Sequence, residues 1–263
     1  MSALTTRRSE FKRVGHKGAD LIVSGNTLSS FDAALAAGVD MIEFDVLPDQ
    51  PDDSRAARAD EAGYRARRRR EDGHLILAHD YRHVSAQPPL TLGEGLLHLA
   101  SGPFAAIELD VDLKLPGYEL EVVQALRDHG LLKRTLISSQ FRESLATIRA
   151  AEPGVRLGLS VPKLRQDPFR NPLLWIPASA VVLALRATMP HRAQAAIRRG
   201  EYDAVMAHWR LVTPRLVRAI SRAGGELYVW TVDELPRIRT LHALGVTGVI
   251  SNDPRLFAAA LAD

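Results

Sequence analysis

Residues 41–46 read MIEFDV, with Glu43 and Asp45 two positions apart in an apolar run. A strand through this run would set both carboxylates on one buried face. Burying an unpaired carboxylate costs several kcal/mol, so such a pair neutralises, finds a counter-ion or binds a metal. Three other short runs end on polar groups with no place in a core. VGHKG gives His16 and Lys17, LAHD gives His79 and Asp80, and DVDLK gives Asp112 and Lys114, which share a face by the same period. Three carboxylates without a thiolate make a hard, oxygen-rich site suited to Ca²⁺ or Mg²⁺, with Mn²⁺ a further candidate. Two histidines beside it could serve as general base and general acid near neutral pH. Two lysines could neutralise phosphate oxygens that the metal leaves uncovered. These are the parts for attack on a phosphodiester. His208, closing the run AVMAH, is a further candidate for substrate contact.

For these groups to converge, the chain must bring several strand ends together. Short β-rich runs alternate with helical patterns throughout: FKRVGH, MIEFDV, HLILAHD, AAIELDVDL, TLISS, RLGLSV, AVVLAL, AVMAH, LYVWTV and GVISN all read as strands. Between them lie amphipathic stretches such as GYELEVVQALRDHG and TPRLVRAISRAGG, several closing on the glycine that stops a helix. Regular βα alternation implies a parallel sheet with right-handed crossovers. Over 263 residues, a single (β/α)₈ TIM barrel is the natural closed form, with its site at the C-terminal ends of the strands. HLILAHD is expected to be the return arm of a hairpin that starts at MIEFDV. The segment between them, about 48–72, combines an acidic block with RARRRR and few apolar residues, and reads as a charged mobile loop.

Bulk composition narrows the function class. Hydrophobic residues make up 46% and charged residues 25%, as in a soluble globular domain. The absence of cysteine excludes disulfides, thiolate metal sites and a cysteine nucleophile. A formal charge of +3 suits anionic substrates and is too weak to argue for nucleic acid. The polar start MSALTTRRSEFKR has no apolar core of a leader, and no run approaches the roughly 20 residues that span a bilayer, so a cytoplasmic chain is expected. Nothing in the surface pattern decides the oligomeric state.

The ordered motifs resemble the glycerophosphodiester phosphodiesterase family. GHKGADLIVSGNTLSSFDAALAAGVDMIEFDV is similar to that family's opening, DGHLILAHD to its histidine arm, and VWTVDELPRIRTLHALGVTGVISNDPRLF to its last two barrel units. The resemblance implies His16 and His79 as the acid/base pair. It also implies Glu43, Asp45 and Asp112 as carboxylates for one divalent cation, Lys114 and Lys17 as phosphate-binding cations, and Trp230 as the wall closing the substrate side. The implied reaction is metal-dependent cleavage of a small glycerophosphodiester to sn-glycerol 3-phosphate and an alcohol. Five positions depart from the family pattern: Lys17 replaces arginine, Gly25 replaces a glutamate, Asp112 stands for another glutamate, Asn252 stands where Asp is usual, and Asp233 where Asn is usual. Asp112 is one methylene shorter than the family's glutamate, and Glu108 or Asp110 on the same face is an alternative third carboxylate. The rival expectations are a lysophospholipid or other lipid-headgroup phosphodiesterase, with RARRRR touching an anionic membrane, and a non-catalytic barrel that binds a phosphorylated ligand.

Overall fold

A computed structural model describes residues 11–49, 75–81, 89–162 and 175–262. The charged segment expected to be a mobile loop falls almost wholly at 50–74, outside the described residues, as does 82–88 beyond the histidine arm. Eight strands run parallel: β1 (Lys12–Gly15), β2 (Met41–Pro48), β4 (Glu108–Leu113), β5 (Thr135–Ser139), β6 (Arg156–Val161), β7 (Ala204–His208), β8 (Glu226–Trp230) and β9 (Gly248–Ser251). β1 pairs with both β2 and β9, so the sheet closes on itself as the expected barrel. The remaining strand, β3 (Leu75–Leu77), lies antiparallel on β2, Val46 opposite Leu77, and is the return arm read from HLILAHD.

Helices α1 (Leu28–Ala36), α2 (Leu92–Leu99), α3 (Glu119–Asp128), α4 (Arg142–Ala151), α5 (Trp175–Arg198), α6 (Pro214–Arg222), α7 (Leu235–Leu244) and α8 (Leu256–Leu261) surround the ring. Thr27, Thr91 and Thr213 cap α1, α2 and α6, each side-chain oxygen accepting a backbone N–H of the first turn. The strands' outward residues, Phe44, Val111 and Val229 among them, pack under the helices in one continuous core. One expectation fails here. The run AVVLAL is not a strand but part of the 24-residue α5. A short apolar run without turn residues at its ends cannot be told from a buried strand by periodicity, and here helix-forming Arg, Ala, Met and Gln continue it on its C-terminal side.

The barrel interior is stacked in layers. At the N-terminal end, Glu108 accepts from Lys12 (2.8 Å) and Arg156 (2.6 Å), and Arg156 also lies 3.6 Å from Glu226. Above this ionic floor sit Val14, Met41, Leu136, Ala204, Met206, Tyr228 and Ile250, a dry plug on which the upper layer rests. The polar strand ends form that upper layer.

Candidate active site

The turn after β1 is shaped by what cannot fit there. A Cβ on Gly15 would come within 2.1 Å of the Gly18 carbonyl, so the chain can double back only without one. Lys17 and Asn26 hold left-handed φ values of 50° and 58°, unusual for non-glycine residues. Both are stabilised by β2. The Lys17 N–H donates to Glu43 Oε2 (2.9 Å). Asn26 clasps Asp45 twice, accepting its backbone N–H (3.1 Å) and donating Nδ2–H to Oδ2 (3.0 Å). The β1–α1 loop is therefore locked onto the two carboxylates of MIEFDV.

The third carboxylate is Asp112, which sits directly beside Asp45 in the β2–β4 register. Oxygens of Glu43, Asp45 and Asp112 lie within 4.8 Å of one another. Glu108 is excluded from this role by its place in the ionic floor. Asp110 pairs with Glu43 one layer lower, fully buried, where burial and the nearby Asp112 push its carboxyl up to about 8. The Lys114 ammonium bridges Asp45 and Asp112. Burial alone would lower the Lys114 pKa, but Asp112, Asp45 and Glu43 hold it well above its usual range. Burial would likewise raise Asp45, yet Lys114 and His79 keep it well below the usual carboxylate range. Glu43 goes the other way, driven well up by burial and by the charge of Asp45. Asp45 Oδ1 touches Lys114 but receives no aligned hydrogen bond. Three oxygen donors, two of them buried, one under-coordinated and one pushed toward its neutral form by its neighbour, are what a hard divalent cation would relieve. The residues fit Ca²⁺, Mg²⁺ or Mn²⁺.

Both histidines stand over this cluster. His79 Nδ1 lies 3.3 Å from Asp45 Oδ2, its ring half-exposed at the mouth. His16 Nε2 lies 3.8 Å from Glu43 Oε2, and burial lowers its pKa against the pull of Asp45. The tautomer of His16 follows from its support. Asn252 donates Nδ2–H to Asp233 Oδ2 (2.7 Å) and its backbone N–H to Asp233 Oδ1 (2.8 Å), which turns its amide oxygen toward His16 Nδ1 at 2.6 Å. An amide oxygen only accepts, so Nδ1 carries the proton and Nε2 presents a lone pair. The two departures at 233 and 252 are thus bonded to each other. A third departure also has a local reason: a Cβ on Gly25 would meet Asp20 Oδ1 and the Lys17 Cβ, both at 2.6 Å. Asp20 fills that space, accepting from Gly25 N–H (2.8 Å) and the Lys17 ammonium (3.2 Å).

His208 and Trp230 are neighbours in the β7–β8 register and form a separate wall on that side of the rim, their rings edge to face at 5.1 Å. The Trp230 indole donates to the Met206 carbonyl (2.8 Å). Behind them Trp209 lies beneath two guanidinium groups, Arg237 at 3.6 Å and Arg210 at 4.4 Å from its centroid. Reading the sequence finds every charged group of the cluster but misses Asn26 and Asp20. The Asn26 signal is its place just before the Thr27 cap, where only a side chain reaching back across the turn can meet β2.

The Glycerophosphoryl diester phosphodiesterase family matches residues 110–256. A glycerophosphodiester phosphodiesterase of Caldanaerobacter subterraneus subsp. tengcongensis is 22% identical over 277 aligned positions, covering 92% of this chain and 93% of that protein. A glycerophosphodiester phosphodiesterase structure from Agrobacterium tumefaciens superposes with a TM-score of 0.66 at 18% identity, over 95% of this chain and 99% of that one. An Oleispira antarctica phosphodiesterase solved with the product sn-glycerol-3-phosphate gives 0.65 at 18% identity, over 94% and 95%. At these identities the structural likeness speaks for the barrel itself.

Proposed function

The chain belongs to the glycerophosphoryl diester phosphodiesterase family, phosphoric diester hydrolases, and from that premise we propose that it cleaves glycerophosphodiesters to sn-glycerol 3-phosphate and an alcohol. The observation that carries this reading is the convergence of two imidazoles and three carboxylates on one rim, with two ammonium groups among them. Glu43, Asp45 and Asp112 would hold one divalent cation, which would supply charge to polarise the phosphoryl group. Lys114 and Lys17 offset the remaining charge of the phosphate.

His16 is the base. Its Nε2 lone pair, fixed by the Asn252 and Asp233 relay, takes a proton from the attacking water, whose oxygen becomes the new phosphate oxygen. A buried, pKa-lowered imidazole is neutral near pH 7 and so is ready to accept it. As the new P–O bond forms, the bond to the leaving alkoxide breaks, and His79 donates the proton that completes the alcohol. Asp45 Oδ2, 3.3 Å from Nδ1, holds the His79 ring in place for that step. Trp230 and His208 supply the wall against which the glyceryl or headgroup moiety rests.

The test is release of sn-glycerol 3-phosphate from glycerophosphocholine and glycerophosphoethanolamine by protein stripped with a chelator, then resupplied with Ca²⁺, Mg²⁺ or Mn²⁺ singly. Ion-restored release that falls about 10²-fold or more in His16→Ala supports the reading. No release with any ion, from protein that still binds one, overturns it in favour of a lipid-headgroup substrate or a binding-only barrel.

A further inference from the structure

Lys17 can offset phosphate charge only if its ammonium is held over the site. Its backbone is already fixed from both sides. The N–H donates to Glu43 Oε2 (2.9 Å), and the carbonyl accepts from the Asn26 N–H (3.0 Å) and the Ser30 hydroxyl (2.8 Å). With φ at 50° the chain turns sharply here, so the side chain leaves the loop in one set direction. Beyond that point a lysine is a point charge on a flexible four-carbon stem, and it sweeps a wide arc unless an acceptor stops it.

Asp20 is that acceptor. It sits one turn after His16, its backbone N–H reaching back to the His16 carbonyl (3.4 Å). Its two oxygens have separate tasks: Oδ1 accepts the Gly25 N–H (2.8 Å), and Oδ2 accepts from the Lys17 ammonium (3.2 Å). The first bond fixes the carboxylate, and the second turns it on the lysine. Gly25 makes room for both. Its φ lies outside the left-handed region, so space alone keeps a side chain out: a Cβ would stand 2.6 Å from Asp20 Oδ1 and from the Lys17 Cβ.

An ordinary surface pair three residues apart is worth little and directs nothing. This pair differs in three respects. The Lys17 side chain is only 19% exposed and that of Asp20 33%, so neither moves freely in solvent. The carboxylate is anchored by a backbone N–H that does not depend on the lysine. Of the two lysines of the site, Lys17 bears on His16 more strongly than Lys114 does, which places its charge over the reacting space.

We propose that Asp20 is the positioning residue for Lys17, a carboxylate clamp that aims the ammonium at the phosphate of the bound ligand. That this phosphate belongs to a glycerophosphodiester rests on the phosphodiesterase reading above; the aiming of Lys17 at a phosphate does not. The sign of one effect separates positioning from charge balance. Asp20 sets a negative charge near the phosphate, so if Lys17 kept its place unaided, removing that charge would tighten binding. If Asp20 aims Lys17, its removal loosens binding instead.

The test is calorimetric binding of sn-glycerol 3-phosphate to the full chain, with a divalent ion present, across parent, Asp20→Asn, Lys17→Met and the double variant. Asn keeps the shape and still accepts the Gly25 N–H, but it turns an amide N–H toward the ammonium. Asp20→Asn should weaken binding by about fivefold or more in the parent. In the Lys17→Met background the same change should alter binding by less than about twofold, because no ammonium is left to aim. Any loosening of the loop common to both backgrounds cancels in this cycle. In hydrolysis of glycerophosphocholine, Asp20→Asn should raise KM and spare kcat. Unchanged or tighter binding by Asp20→Asn, an equal loss in both backgrounds, or a loss confined to kcat each overturns the proposal, as does a parent that binds no sn-glycerol 3-phosphate. If the parent binds it with the stated coupling yet hydrolyses no glycerophosphodiester, the phosphodiesterase reading has failed and the clamp stands.

Discussion

Replacing Glu43 by Gln separates the ionic roles of the upper layer in one melting experiment. Gln keeps the shape and can still accept the Lys17 N–H through its amide oxygen, but it removes a charge that burial and Asp45 both oppose. A carboxyl whose folded pKa is raised contributes stability at low pH and loses it as pH rises through the folded value. Ion-free Glu43→Gln should therefore melt no lower than the parent at neutral pH, and its advantage should grow toward alkaline pH. With ion present the order reverses. At a concentration about 100 times the parent's Kd, binding adds about 2.7 kcal/mol, which for a chain of this size raises Tm by roughly 5–10 °C. Loss of a directly ligating oxygen should weaken binding by about 100-fold or more, since even outer partners are worth 10–100-fold. At the same ion concentration the variant then gains about 0.4 kcal/mol or less, a shift of roughly 1 °C. The assay is calorimetry or dye-monitored melting of chelator-treated protein across an ion titration. A variant that keeps the full ion-induced shift, or whose ion-free form melts several degrees below the parent, would refute the assignment of Glu43.

Three further outcomes are expected. Asp233→Asn and Asn252→Asp should each cost about tenfold or more in kcat with little change in KM, because each disturbs the relay that fixes His16, whereas the reciprocal double exchange should recover most of the loss; a double variant no better than the worse single one would show that the pair does not act together. Lys114→Met should leave Asp45 and Asp112 uncompensated and lower ion-free stability by about 3–5 kcal/mol in denaturant titration, with part of the loss restored by a divalent ion. Asp40→Asn removes the acceptor of three Arg13 hydrogen bonds and should cost about 1–2 kcal/mol at neutral pH after allowance for its partial exposure. Because burial of Asp40 is outweighed by Arg13 and its folded pKa is depressed, that contribution is present above about pH 4 and vanishes as pH falls through the folded value, so the parent and variant unfolding curves should converge in acid.

Much of the fold is legible in the chain because its strands are short, most of its helices amphipathic, and several switches of period are marked by a glycine or a capping threonine. The hairpin arm at HLILAHD could be placed for the same reason: a closed parallel ring leaves no room for it, so it had to pair outward on β2. AVVLAL misleads because its six apolar residues run without a polar break, which erases the helical period over that stretch. The charged residues of the site were legible because carboxylates, imidazoles and ammonium groups are out of place at the ends of buried strands. Their supports were not. Asn26 and Asp20 are ordinary loop residues whose roles depend on a left-handed turn. Asp233 and Asn252 read as separate oddities until the β8 and β9 ends are seen side by side.

The bond from His16 to Asn252 joins residues 236 positions apart, one after the first strand and one after the last. These two strands also form the seam at which the ring shuts. The His16 imidazole, proposed as the base, therefore gains this support only when β9 has paired with β1 and the sheet has become a cylinder. The imidazole proposed as the base is thus also the clasp that joins the first strand of the barrel to the last.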